Sequence, residues 1–195
     1  MSRFPAFDLD RARADVTAAS AGGAPFLVAF ALTLGATGLA AFALPVRTAA
    51  LVTLFQGNVA LPLAFWLERR MGHGPMAADN PLRSLSVQLA MSQVVALPAA
   101  LMLYALAPWT VAAGMAAIGG GHFLPYAWLQ RTRWYAGLGV TVSLGAVVVT
   151  AILREAALPW TLLFIATTYA AGAAAIRREA WRLEAADRHA ATAPA

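Results

Sequence analysis

Trp134-Tyr135-Ala136-Gly137-Leu138-Gly139-Val140-Thr141-Val142-Ser143-Leu144-Gly145-Ala146-Val147-Val148-Val149-Thr150-Ala151-Ile152-Leu153 is a run of twenty residues without one charged side chain. At a rise of about 1.5 Å per residue, a helix of that length covers the ~30 Å hydrocarbon core of a bilayer. Five more runs of similar length and character flank it, at about 24–44, 48–67, 84–106, 109–129 and 158–176, and none of the six contains Asp, Glu or Arg. The expected fold is therefore an all-α integral membrane protein, a six-transmembrane-helix bundle. Three parts follow: a cytoplasmic N-terminal segment at 1–23, a transmembrane domain at 24–176, and a cytoplasmic helical tail at 177–195 whose composition predicts disorder after His189.

Composition agrees. Hydrophobic residues make up 61% of the chain and charged residues 12%, against about 25% charged in a soluble domain. Cysteine is absent, which excludes disulfides, thiolate metal sites and cysteine nucleophiles. All 14 basic residues are Arg, so no lysine amine is present to form a Schiff base with retinal or pyridoxal. No cofactor is expected. A pI near 10.7 first brings nucleic acid to mind. The arginines, however, sit beside apolar runs, where they act as topology signals and contacts for anionic lipid. The expected partner is the bilayer, including anionic lipid at the Arg-rich face, and not nucleic acid.

Orientation follows from the arginines. Arg3, Arg11, Arg13, Arg69, Arg70, Arg83, Arg131, Arg133, Arg177, Arg178, Arg182 and Arg188 fall on one side of a six-span chain, and only Arg47 and Arg154 on the other. The positive-inside rule puts the first group, and with it both termini, in the cytoplasm. Residues 1–23 carry Asp8, Asp10 and Asp15 and do not resemble the short basic start of a signal peptide. The first run is therefore read as a retained helix. The outward connections, about 45–47, 107–108 and 154–157, are too short to build an external domain.

Proline punctuates the runs. Pro25, Pro81, Pro108 and Pro159 stand near helix starts, where a missing N–H costs nothing, and Asn80 precedes Pro81 as a candidate N-cap. Pro62, Pro98 and Pro125 instead lie inside runs, where each is expected to kink its helix and free the carbonyl four residues earlier, on Asn58, Val94 and Gly121. Beside those positions lie the strongest polar side chains of the spans: Gln56, Asn58, Ser92, Gln93 and His122, with Gln88 and Tyr126 one turn further inward. Broken helices with polar groups at mid-depth are how many transporters build a site. The same features also serve interhelical hydrogen bonding that locks kinked helices together. His122, Tyr126 and Gln130 repeat at i, i+4 and i+8 and so share one helix face.

Gly137, Thr141 and Gly145 form a small-residue stripe, and Gly35 and Gly38 stand three apart; both patterns predict close helix packing. Phe4, Phe7 and Leu9 are candidates for the membrane interface. The second and fourth runs share an order of Gly, polar residue, Pro, Trp and Arg-rich end, which is read either as duplicated helical hairpins or as convergence at a cytoplasmic membrane edge.

Gly120-Gly121-His122-Phe123-Leu124-Pro125-Tyr126-Ala127-Trp128-Leu129, together with Gln56-Gly57, Pro62 and Asn80-Pro81-Leu82, resembles a family of small bacterial multi-pass membrane proteins of unknown function. The resemblance runs from about Gly22 to Arg178. It implies a bacterial plasma (inner) membrane location and supplies no activity.

On function, the sequence favours small-solute or ion transport or binding, through a midplane polar site between spans 2, 3 and 4. An accessory or structural subunit without a site of its own, including a homo-oligomer, comes next. An enzyme ranks last, because no paired intramembrane carboxylates and no His-Glu-x-x-His are present.

Overall fold

The computed structural model describes the backbone of residues 8–192 and the side chains of 8–183, 185 and 186. Phe4, Phe7 and Arg3 lie outside the described residues. Every described element is helical: α1 (Leu9–Ala19), α2 (Ala24–Ala40), α3 (Val46–Phe55), α4 (Gly57–Met71), α5 (Arg83–Val95), α6 (Leu97–Leu106), α7 (Val111–Leu129), α8 (Trp134–Leu153) and α9 (Ala157–Thr192), with three short 3-10 turns. Each of the six apolar runs is helical. The last helix continues through the charged tail to Thr192, past His189, where composition predicts disorder.

Four helical stretches are long and apolar enough to cross a membrane: Ala21–Ala40, Val46–Met71, Arg83–Leu106 and Trp134–Leu183. The last is two arms, because the chain reverses at Arg154, whose φ of 49° and ψ of −122° end α8. With 19 residues, α7 is long enough as well. Its four glycines, His122, Pro125, Tyr126 and Trp128 make it less apolar than the four stretches above.

Two runs are broken. The second splits at Gln56, whose carbonyl accepts both the Val59 and Ala60 N–H groups at 3.0 and 2.9 Å. The third splits at Ala96, two residues before Pro98, which opens α6. Helix α4 continues through Pro62, and α7 through Pro125. Asn80 is not the N-cap of α5, which starts at Arg83. It builds the turn before it, its Oδ1 accepting the Leu82 N–H at 2.9 Å.

Antiparallel neighbours make up the bundle. On α9, Leu162 and Leu163 face Gly38 and Ala166 faces Gly35, so the expected small-residue contact of α2 is made there. On the other side of α9, Thr161 and Thr150 share a buried hydroxyl–hydroxyl bond at 3.0 Å, and Phe164 closes on Gly145 of α8. Between α7 and α8 the backbones touch. A Cβ on Gly120 would overlap Ser143 Oγ and lie 2.6 Å from the Gly139 carbonyl. The stripe read from sequence on α8 is therefore displaced. Gly137 and Thr141 are exposed, while Gly139, Val142 and Ala146 are buried, because α8 is held between α7 and α9 and only that face meets both.

One end of the bundle gathers the arginines. There the chain elbows from α1 into α2 through Ala21, Gly22 and Gly23, all with positive φ (50°, 68° and 80°). The buried Tyr135 pins the elbow by donating its hydroxyl to the Gly22 carbonyl at 2.8 Å. Ile176 and Ala180 pack on Gly22, and Arg177 donates to the Met71 carbonyl at 3.1 Å. Thus the start of α2, the end of α4, the end of α7 and the middle of α9 lie together.

Candidate functional site

Helix α4 packs on α2, and α5 packs on α7, but α4 and α5 barely touch. At the end away from the arginines, α3 and α6 pack on each other. Helices α4 and α5 thus stand apart along most of their length, with α3 and α6 in contact at one end. At the other end lies the 72–82 loop, which is fastened to α1. There Asp15 Oδ2 accepts from Asn80 Nδ2 at 2.8 Å and from the Ala77 N–H at 3.0 Å. Asn80 Nδ2 also donates to the Ala12 carbonyl at 2.9 Å, and the His73 N–H to the Ala18 carbonyl at 3.2 Å. Ala12 and Val16 bury against Leu82 and Leu129, with Leu9 packed alongside. Arg13 then caps α7. Its Nε and Nη2 donate to the Trp128 carbonyl at 3.0 and 2.6 Å, and the guanidinium lies 4.9 Å from the Trp128 ring centroid. A cation is favoured at that C-terminal dipole end.

The face of α7 opposite its α8 contact carries a polar seam, and the i, i+4, i+8 spacing of His122, Tyr126 and Gln130 is what lines it up. Each member has a partner. His122 Nδ1 lies 3.2 Å from Ser92 Oγ on α5. The Tyr126 hydroxyl donates to the Ser86 carbonyl, also on α5, at 3.4 Å. Gln130, 2% exposed, donates its Nε2 to Ser20 Oγ at 3.0 Å. The Ser92 hydroxyl proton is directed to the Leu89 carbonyl at 2.7 Å. Ser92 Oγ therefore receives from His122, which assigns the Nδ1–H tautomer and leaves Nε2 as a lone-pair acceptor. The His122 and Tyr126 rings lie 4.8 Å apart, and Tyr126 continues into an aromatic cluster with Tyr135 and Phe123.

Of the residues singled out in the sequence, Ser92, His122 and Tyr126 meet. Gln56 sits apart at the α3–α4 break, its Oε1 accepting from Thr33 Oγ1 on α2 at 2.6 Å. Asn58 is exposed on the face of α4 turned away from the buried Ala60 and Ala64. Gln88 is exposed and donates to Ser84 Oγ at 3.2 Å. Gln93 is half-buried at the α5–α6 break, its carbonyl accepting the Ala96 N–H at 3.2 Å. Sequence reading misses Thr33 and Ser86, and it puts Glu68 in one cytoplasmic loop with His73 and Asp79, in a spacing that matches no catalytic site, whereas Glu68 belongs to α4. Glu68 lies inside the apolar stretch Val46–Met71 and is half-buried.

Fold and site together define an all-helical protein with several apolar helices of membrane-crossing length and a polar seam between α5 and α7. Residues 9–179 match the family described as "Family of unknown function (DUF7010)", and the chain belongs to that family. No curated protein and no solved structure matches it.

Proposed function

We propose that the protein is a six-span membrane protein of the bacterial plasma membrane that binds or moves a small solute or ion at the seam of α7. In this reading residues 24–176 form the membrane domain, and residues 1–23 and 177–195 lie in the cytoplasm. The spans are α2, α3–α4, α5–α6, α7, α8 and the first part of α9. What supports the topology is that Arg13, Arg69, Arg70, Arg83, Arg131, Arg133, Arg177, Arg178 and Arg182 belong to the bundle end described above, as the positive-inside rule requires. Anionic lipid is the partner proposed for that end.

The observation that carries the solute reading is the Ser92–His122–Tyr126 cluster between α5 and α7. Polar side chains at that depth in a span are costly in hydrocarbon and are kept where they face one another, water or a ligand. The test is uptake by the purified protein in liposomes of a panel of potassium, choline, chloride and sorbitol. His122→Ala and Ser92→Ala should abolish the uptake of whichever solute the wild type moves. A wild type that moves none of the panel counts against the reading. So does full activity in both variants.

One observation favours an accessory subunit instead. Helix α5 has no buried residue, and Ser84, Gln88 and Ser92 stand exposed on it. A second copy or another membrane protein lying on α5 would cover that stripe. A complex isolated from native membranes and broken by Gln88→Leu, with no solute uptake, would replace the transport reading with this one.

A further inference from the structure

Where α2 meets Leu162 and Leu163 of α9, the facing residue is Gly38 and the helices lie close. One turn further along, Phe42 stands in its place and meets Trp160 edge to face, with ring centroids 5.2 Å apart and planes at 82°. The chain leaves α2 there through an exposed turn to Pro45, and it enters α9 through the Arg154–Ala156 turn. Between these two turns lies a partly open cavity of about 290 Å³, whose lining includes Phe42, Leu44, Val46, Glu155 and Trp160. None of its lining residues belongs to α5 or α7, so it is separate from the seam. Its volume is near the lower bound of about 300 Å³ for small-molecule pockets and suits a head group rather than a large solute.

Glu155 is the one charged residue of the lining. Among the described residues it is in no ion pair. Neither are Arg47 and Arg154, which adjoin Val46 and Glu155 in the chain without lining the cavity. Two rings at right angles form a corner that attracts a cation, best over Trp. A carboxylate beside them adds a charged acceptor for an ammonium. Phe42, Leu44, Val46 and Trp160 are all exposed at this edge. Exposed apolar and aromatic side chains at helix ends match a membrane interface, where Trp is enriched. A free ammonium compound makes no use of that apolar rim or of the two arginines. A zwitterionic phospholipid uses both, because its glycerol end takes apolar contact and its phosphate supplies a counter-charge for arginine.

We propose that this cavity holds the ammonium head group of a zwitterionic phospholipid of the phosphatidylethanolamine type. The inference rests on the membrane-spanning reading above and not on the solute site. It gives the two ends of the bundle different lipid preferences: anionic head groups where the arginines cluster, and an ammonium-bearing one between the ends of α2 and α9.

The test places the full-length protein in vesicles of equimolar phosphatidylethanolamine and phosphatidylglycerol, extracts it in mild detergent, and counts the retained lipids by native mass spectrometry. The expected result is retained phosphatidylethanolamine on the wild type. Trp160→Leu and Glu155→Gln should each lower that retention about two- to fivefold, the scale of one exposed cation–π contact or ion pair. Retained phosphatidylglycerol should stay unchanged in both. Trp160→Phe, which keeps a ring, should fall between the wild type and Trp160→Leu. Unchanged melting in detergent would show that the variants are folded. Phosphatidylethanolamine retention equal in the wild type and in both variants overturns the inference, and so does wild-type retention of phosphatidylglycerol alone. Binding of free choline or ethanolamine with no phosphatidylethanolamine retained overturns the lipid as the occupant. A protein that does not enter the vesicles overturns the membrane-spanning reading and this inference together.

Discussion

Ser92 and His122, on neighbouring helices, meet at 3.2 Å between Oγ and Nδ1, and the Ser92 proton is committed to the Leu89 carbonyl. With that proton on Leu89, the contact is satisfied by a proton on His122 Nδ1. Because Ser92 is exposed, its hydroxyl contributes little to packing. Ser92→Ala is expected to change stability by less than about 1 kcal/mol while reducing solute uptake, and the two readouts are thermal melting in detergent and liposome flux. A large loss of stability with full uptake would reverse the roles assigned to the pair.

The α7–α8 interface should respond sharply to volume at one pair of glycines and not at another position. Gly120→Ala and Gly139→Ala each force a methyl into facing backbone, which should cost about 1–3 kcal/mol. Gly137→Ala places its methyl in open space on the exposed face. It should be neutral or slightly stabilising through helix propensity. Melting temperatures of the three variants decide it.

The elbow between α1 and α2 depends on Tyr135. Tyr135→Phe leaves the Gly22 carbonyl without its donor inside a buried site, at a cost of about 1–3 kcal/mol. Gly23→Ala should be worse, because its φ of 80° is strained for alanine and its Cβ would strike the Tyr135 hydroxyl. Chemical denaturation in detergent measures both.

Asp15 holds the 72–82 loop through Asn80 and the Ala77 N–H. Asp15→Ala should release that loop from α1 without disturbing α7–α8 packing. Hydrogen exchange would show faster exchange at residues 72–82 and unchanged protection at 138–150. Equal protection of the loop in both proteins would contradict the latch.

Several of these features are legible in the sequence and several are not. The helical state of the six apolar runs can be read because twenty uncharged residues have few alternatives, but the breaks at Gln56 and Ala96 cannot. Gly35 and Gly38 can be read because three-residue spacing places both on one face. The spacing of His122, Tyr126 and Gln130 likewise reveals the seam. Helix neighbours cannot be read, since apolar composition does not say that α4 lies on α2 rather than beside α5. For that reason sequence reading groups Gln56, Asn58 and Gln93 with His122, whereas His122 meets Ser92 and Tyr126 and Gln56 bonds Thr33. Gly137 and Gly139 are equally small and lie on opposite sides of α8, so only the position of α7 selects between them. Glu68 reads as part of the loop with His73 and Asp79 because it adjoins Arg69 and Arg70, although the helix runs on to Met71.

The proposed topology is the central claim, and the absence of cysteine in the native chain makes it directly testable. Single cysteines at Ala43 and Ala156, on exposed turns of one end, and at Ala78, in the loop at the other, can be probed with a membrane-impermeant maleimide in intact bacterial cells. The account predicts labelling at Ala43→Cys and Ala156→Cys in intact cells, and at Ala78→Cys only after the membrane is opened. Labelling of Ala78→Cys in intact cells, or recovery of the protein in the soluble fraction, would contradict it.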